Sequence, residues 1–262
     1  MYWLLWETIS KSTMTQPIYA VGDIHGELEQ LHKAIWKIER DGGEDAHVVF
    51  VGDYVDRGPQ SREVLDYLIE GLSAGKNWKC LLGNHDRMFT LFLKDSPCAD
   101  PRLKRPLHWM HDRLGGKETL ASYGVYVEDA DTLKSIHKQA RQAVPTAHIE
   151  FIKSLDYCYR HGDLLFVHAG IRPGVPLAQQ KRGDLIWIRD EFLEDTRPHP
   201  WLVVHGHTPV PHARHFGNHV NLDTGSGYGE HLSSAVFEGT DCWILEDNGR
   251  AQLLPEPSCL TP

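Results

Sequence analysis

The stretch that most constrains the fold is Val48-Val-Phe-Val-Gly-Asp-Tyr-Val-Asp-Arg57. Val48 to Val51 is a short continuous apolar run, the pattern of a strand covered on both faces. Gly52 lets the backbone turn closely, and Asp53 falls where the strand stops. Asp56 and Arg57 come next, and Gly58-Pro59 punctuates the exit. Two acids and a guanidinium at the carboxyl end of a buried strand are costly unless they are paired with something. The expectation is that Asp53 bridges two metal ions and that Arg57 holds a phosphate.

The same strand-then-charged-turn pattern recurs on either side. Ile18 to Val21 is followed by Gly22-Asp-Ile-His-Gly26. A helix is expected from about Glu27 to Arg40, with Leu28, Leu31, Ile35 and Ile38 on one face, and Asp41-Gly-Gly43 ends it. After the Val48–Val51 strand, a second helix starts at about Ser61, read as its N-cap, with Val64, Leu65, Leu68, Ile69 and Leu72 inward. A third strand, Trp78 to Leu82, leads into Gly83-Asn-His-Asp86. This is a βαβαβ order, which implies parallel strands with right-handed crossovers. In such sheets a ligand site lies beyond the carboxyl ends of the strands.

Residues 87 to about 156 read as helical, with helices expected at Lys117–Tyr123, Thr132–Ala143 and Ala147–Leu155. Residues from about 95 to 156 are taken as an insertion beside the sheet. Its basic cluster, Arg102, Lys104 and Arg105, is read as a solvated face. Tyr157–Arg160 and Leu164–Val167 form a hairpin, and the second strand ends in His168-Ala-Gly170. A short helix is expected around Asp184–Phe192. Another strand, Trp201–Val204, ends in His205-Gly-His-Thr208. The segments His219–Leu222, Ser233–Phe237, Cys242–Leu245 and Ala251–Leu254 read as an antiparallel meander. The expected fold class is α/β, two packed mixed β-sheets flanked by helices, in a single domain over residues 14–255. Residues 1–13, before Met14, are an N-terminal extension.

Composition narrows the partners. Hydrophobic residues make up 41% and charged residues 24% of 262, with a net charge of -9. With no long basic run, extended nucleic-acid or anionic-membrane binding is not expected, and no apolar run approaches the ~20 residues of a membrane span. Cys80, Cys98, Cys158, Cys242 and Cys259 are scattered and form no C-x-x-C, which favours reduced thiols in a cytoplasmic protein.

Five strand-end turns carry Asp23 and His25, Asp53, Asn84 and His85, His168, and His207. Taken singly, each has an ordinary structural reading as a turn or capping residue. As a set converging on one sheet edge, they leave costly unpaired charge unless they bind metal. The donors are imidazole, carboxylate and amide oxygen without thiolate, which suits manganese, iron or zinc in a non-structural site. His212, His215 and His219 read as structural.

Gly22-Asp-Ile-His-Gly26, Gly52-Asp-Tyr-Val-Asp-Arg-Gly58, Gly83-Asn-His-Asp86, Val167-His-Ala-Gly170 and His205-Gly-His-Thr208 resemble, in order, the motifs of the calcineurin-like metallophosphoesterases. They resemble most the PPP-type Ser/Thr phosphatase branch, with its bacterial members and the symmetrical diadenosine tetraphosphatases. The match runs from about Ile18 to Gly225. The resemblance implies two divalent ions, manganese first, with iron or zinc as alternatives. Asp23 and His25 hold the first ion, Asp53 bridges, and Asn84, His168 and His207 hold the second. Arg57, Asn84 and Arg189 bind the substrate phosphate. His205 either supports the metal ligands from behind or is structural. A metal-bridging hydroxide attacks phosphorus directly, His85 protonates the leaving oxygen, and Asp56 aims His85.

The resemblance of Gly-Asp-Tyr-Val-Asp-Arg-Gly at Asp56, and of Gly115–Gly124, favours a Ser/Thr protein phosphatase acting on phosphorylated protein, peptide or small phosphoesters. The alternative is a diadenosine tetraphosphatase or other nucleotide polyphosphate hydrolase. A non-catalytic scaffold is a third reading, but none of the matched positions is missing. The Gly-rich run Asp223–Gly229 could line the cleft or be only a turn, and the sequence does not choose.

Overall fold

The computed structural model describes residues 16–256. The expected N-terminal extension and Cys259 lie outside the described residues. In chain order come β1 (Ile18–Val21), α1 (Leu28–Gly42), β2 (His47–Phe50), α2 (Ser61–Ser73), β3 (Trp78–Cys80) and α3 (Asn84–Phe92). Then come α4 (Gly116–Ser122), α5 (Leu133–Ala143), α6 (Thr146–Ser154), β4 (Cys158–His161) and β5 (Leu164–Val167). The chain continues through α7 (Arg182–Leu185), α8 (Asp190–Leu193), β6 (Leu202–His205), β7 (Arg214–His215) and β8 (His219–Asn221). It closes with β9 (Ser234–Glu238), β10 (Asp241–Glu246) and β11 (Gly249–Gln252).

These strands form two mixed sheets. One has the order β11-β10-β9-β1-β2-β3 and the other β4-β5-β6-β8-β7. β1, β2 and β3 are parallel, as the βαβαβ pattern requires, while β9 runs antiparallel to β1. Alternation along β1 shows how the layers stack. Ile18 and Ala20 join Val49, Phe166, Val204, Val220 and Phe237 in the apolar layer between the sheets. Tyr19 and Val21 face the other way, among Leu31, Ile35, Val64, Leu65 and Leu68 of the helices. Both faces are covered, so the strands read as continuous apolar runs rather than as alternating ones. Each fully buried Val, Leu, Ile or Phe side chain contributes about 1.5–3 kcal/mol to this packing.

Four expectations need correction. His219–Leu222 does not belong to the closing meander. β8 pairs parallel with β6 in the second sheet, and only β9, β10 and β11 form the meander. Residues between β8 and β9 cross from one sheet to the other, a long-range choice that local alternation does not encode. Ser61 is the first residue of α2 rather than its cap. Its hydroxyl instead accepts from the Asp56 backbone N–H at 3.1 Å. Arg102 is not merely solvated, because its guanidinium pairs with the buried carboxylate of Asp184 and ties the helical segment to α7. The expected helix over Asp184–Phe192 is two single turns, α7 and α8. The helices expected at 117–123, 132–143 and 147–155 are α4, α5 and α6, each within a residue or so of the expected bounds.

Candidate active site

The loops leaving β1, β2, β3, β5 and β6 meet at one end of the two sheets, so the site is built on the shared edge of both rather than on one. Its backbone is strained. Among the described residues the non-glycine residues with left-handed φ are His25 (49°), Asp53 (57°), Asp56 (75°), Arg57 (72°) and His207 (69°), and all lie in these loops. Each such conformation costs of order 1–3 kcal/mol, so they persist only where the surroundings hold them, as functional sites do.

The holding groups can be named. Asp86, in the first turn of α3, accepts the backbone N–H of Gly83, Asp53 and Tyr54, each at 2.9 Å. That one carboxylate joins the turns after β2 and β3. Burial, with the charge of Asp53 next to it, pushes Asp86 up to about 7. The His85 N–H donates to Asp53 Oδ1 at 2.9 Å. The His207 N–H donates to Asp23 Oδ2 at 3.0 Å, joining the loops after β1 and β6. Gly206 must be glycine, because a Cβ there would overlap Asp23 Oδ1. Neither Asp86 nor this bond is visible in the motif pattern as a bracing role.

The side chains then converge. His25, Asp53 and His85 offer donor atoms within 4.8 Å of one another, and so do Asp53, His168 and His207. Asp53 is common to both groups. Asp23 stands outside these two groups, and Asn84 joins the second, its Oδ1 lying 2.9 Å from His168 Nε2. The outward nitrogens are selected by backbone carbonyls behind the rings. His25 Nδ1 donates to Val55 O at 2.8 Å and His168 Nδ1 to Val51 O at 3.1 Å, which leaves Nε2 of each facing the centre. This is how metal-ligating imidazoles are oriented.

Satisfaction of polar atoms gives an independent test of whether cations fit. Among the described residues, the buried side-chain atoms without a partner are Asp23 Oδ1, His207 Nε2, Arg57 Nε and Trp187 Nε1. Asp23, Arg57 and His207 belong to the expected site, and the Trp187 ring lies edge-on to His207 at 6.0 Å. An orphaned carboxylate oxygen and an orphaned imidazole nitrogen, both buried, are the atoms a cation would satisfy. The titration pattern agrees in direction. Burial pushes Asp23 well above the usual carboxylate range, and the nearby Asp223 adds to it. Burial would raise Asp53 too, but the charges of His168, His85 and His25 hold it well below. Burial lowers His168, yet Asp53 overturns that and brings it up to about 9. Burial, with His168 and Arg189 nearby, holds His207 well below its usual value.

His85 and Asp56 form a separate unit. His85 Nδ1 donates to Asp56 Oδ2 at 2.6 Å. Asp56 is fully buried, and its oxygens also accept from Trp109 Nε1 at 2.9 and 3.0 Å and from the Thr119 hydroxyl at 2.7 Å. Trp109 and Thr119 come from the helical segment, which therefore braces the site from behind. Sequence reading missed both, since nothing local marks a contact across 53 or 63 residues. Arg57 Nη2 lies 3.1 Å from His85 Nε2, and its Nη1 meets His25 Nε2. The guanidinium must therefore swing off His25 for that nitrogen to take a cation. Its carbon also lies 4.6 Å from the ring centre of the exposed Tyr228. Ser226 Oγ donates to Asp23 O at 2.5 Å, so the Gly-rich run 223–229 does border the centre. Arg189 reaches the same region, with Nη1 on Thr208 Oγ1 at 3.0 Å and Nη2 on His207 O at 3.3 Å.

Shared-carboxylate donor groups at the strand ends of a two-sheet α/β sandwich define a metallophosphoesterase, a metal-dependent hydrolase of phosphate bonds. The chain belongs to the calcineurin-like phosphoesterase family, which residues 16–233 match. It is 27% identical over 238 residues to the Bacillus subtilis (strain 168) bis(5'-nucleosyl)-tetraphosphatase PrpE [asymmetrical], covering 83% of this chain and 89% of that protein. It is 29% identical over 242 residues to the protein of that name from Anoxybacillus flavithermus, with 83% and 89% covered. Among solved structures, it shares its fold with a cold-active protein-tyrosine phosphatase of a Shewanella species. That match has a TM-score of 0.58 at 17% identity, covering 91% of this chain and 80% of that one. The comparisons thus favour the nucleotide alternative over the Ser/Thr phosphatase preferred from sequence. Among the described residues, no helix is long and apolar enough to cross a membrane.

Proposed function

We propose that the chain hydrolyses nucleotide polyphosphates of the bis(5'-nucleosyl) tetraphosphate class at a centre of two divalent ions. The observation that carries this reading is similarity along nearly the whole domain to relatives of that name, at 27% identity over 83% of the chain. The preference for a protein phosphatase rests on the resemblance at Asp56 and at Gly115–Gly124, and Asp56 is its more specific ground. That carboxylate faces His85, Trp109 and Thr119, all within the protein, so it touches no group that could sort one substrate from another.

In this reading Asp23, His25 and Asp53 hold one ion, and Asp53, Asn84, His168 and His207 hold the other. The orphaned Asp23 Oδ1 and His207 Nε2 support those two assignments. Manganese is the first candidate for this donor set, with iron or zinc next. Divalent cations bound there supply Lewis acidity toward water and phosphoryl oxygen. Arg57 presents a planar fork to two phosphate oxygens while remaining charged, and Asn84 and Arg189 border the same space. α3 starts at Asn84, so its N-terminal N–H groups and dipole favour an anion at this end. His85, whose Nδ1 is committed to Asp56, has Nε2 facing the centre and donates a proton from there to the departing oxygen.

The test is kcat/KM for diadenosine tetraphosphate and for a phosphoserine peptide, measured side by side with added manganese. The reading expects a clear preference for the dinucleotide, and product chromatography then shows whether the chain is cut into equal or unequal halves. A preference for the phosphopeptide overturns it.

A further inference from the structure

Behind the candidate ligand His207 lies a pair of buried imidazoles with no part in the reaction described above. Gly206, just before His207, has both its polar groups committed. Its N–H donates to His168 O at 2.8 Å, and its carbonyl accepts from His205 Nδ1 at 2.9 Å. This glycine therefore links the backbones of two candidate ligands, with Asp23 packed against its Cα. The next residue, His207, is in the left-handed region at φ 69°, so its direction depends on how firmly that backbone is held.

The hydrogen bonds assign the tautomers. A carbonyl only accepts, so His205 Nδ1 carries the proton. In a neutral imidazole the other nitrogen then accepts. His205 Nε2 lies 2.9 Å from His219 Nδ1, so His219 Nδ1 carries its own proton and donates it. His219 sits on β8, next to β6 in the second sheet, and is 1% exposed. Its ring stacks on Phe216 at 4.5 Å and lies 4.9 Å from Phe192, which fixes its plane.

We propose that His219 is a positioning residue for the metal centre: its Nδ1–H fixes the tautomer and plane of His205, which holds the Gly206 carbonyl and so aims His207 Nε2. The inference rests on the reading that His207 ligates a cation. It assigns a task to His219, which sequence alone makes structural, and specifies that of His205. Bracing partners of metal ligands typically change metal affinity by about 10–100-fold when removed.

The experiment is calorimetric titration of metal-free full-length protein with manganese, with thermal unfolding of the metal-free proteins alongside. His219→Phe keeps a ring for the Phe216 stack but has no donor. It is expected to weaken binding about 10–100-fold, with the metal-free protein still folded. His219→Asn places an amide N–H near the position of Nδ1 and is expected to recover most of that loss. His219→Leu, of similar shape to Asn, is not. Should the Phe variant fail to fold, the Asn and Leu variants carry the same contrast. Equal affinity in wild type and His219→Phe, or in the Asn and Leu variants, overturns the proposal while leaving the function intact. A wild type that binds none of manganese, iron and zinc overturns both.

Discussion

Replacing Asp56 by Asn tests the proton-donating unit with little change of shape. Every contact to the Asp56 carboxylate is from a donor: His85 Nδ1 at 2.6 Å, the Thr119 hydroxyl at 2.7 Å, and Trp109 Nε1 at 2.9 and 3.0 Å. An amide at this position puts an NH2 where one oxygen stood. The arrangement with the fewest opposed donors places that NH2 toward His85, keeps the remaining oxygen on Thr119 and on Trp109 at 3.0 Å, gives up the 2.9 Å contact of Trp109, and turns His85 Nδ1 into an acceptor. One hydrogen bond to a charged group is lost, a cost of about 1.5–3 kcal/mol in stability. The functional consequence is larger. With Nδ1 accepting, His85 is locked neutral with its proton on Nε2, and the ring no longer has a carboxylate behind it. The expected fall in kcat is about 10²–10⁴-fold where the leaving oxygen is an alkoxide, which needs a proton. The loss is expected to be much smaller with p-nitrophenyl phosphate, whose leaving group departs without one. Steady-state kinetics on an alkyl phosphate, p-nitrophenyl phosphate and diadenosine tetraphosphate, with metal content measured in parallel, make the comparison. An equal loss on all three substrates, or loss of bound metal, would refute the reasoning.

Removing the phosphate clamp and changing pH probe other parts. Arg57→Ala is expected to lower kcat/KM roughly 10–100-fold, the loss of one charge-assisted contact of about 1.5–3 kcal/mol, and Arg57→Lys to recover only part of it because the fork is gone. Full activity in Arg57→Ala would remove Arg57 from phosphate binding. For pH, burial pushes His205 down to about 4 and His219 to about 2, so both stay neutral in the fold at pH values where the unfolded chain is protonated. Their contribution is fully present above the unfolded value near 6.5 and declines as pH falls toward the folded values, by about 1.4 kcal/mol per pH unit for each imidazole. Urea unfolding of metal-free protein between pH 7 and 5 is expected to show a shallower decline in His219→Phe than in wild type. Parallel curves would contradict this.

The strand-end turns were legible because their signals are local. A buried apolar run, a glycine and a charged residue occupy consecutive positions, as at Val48–Asp53, and the parallel order of β1, β2 and β3 follows from the helices between them. Pairings across long separations were not legible. Nothing in His219–Leu222 says that it joins β6 rather than the meander, since a strand buried on both faces carries no alternation to set its partner. For the same reason the Trp109 and Thr119 bonds to Asp56, the Asp86 brace and the Arg102–Asp184 pair emerge only when the fold brings them together. The strand-end turns gather the ligand candidates and the motif resemblance divides them between two ions, while the orphaned Asp23 Oδ1 and His207 Nε2 add a physical reason that the sequence does not contain.

The central claim is that one buried carboxylate, Asp53, is shared by two cation sites. Asp53 lies 3.3 Å from His168 Nε2 and 3.6 Å from His25 Nε2, between the two donor groups. The most direct test is the stoichiometry of manganese bound by metal-free wild type and by Asp53→Asn, read by equilibrium dialysis with elemental analysis. The account predicts about two ions per chain in the wild type and loss of both in the variant. Two ions still bound to a folded Asp53→Asn, or one ion in the wild type, would contradict it.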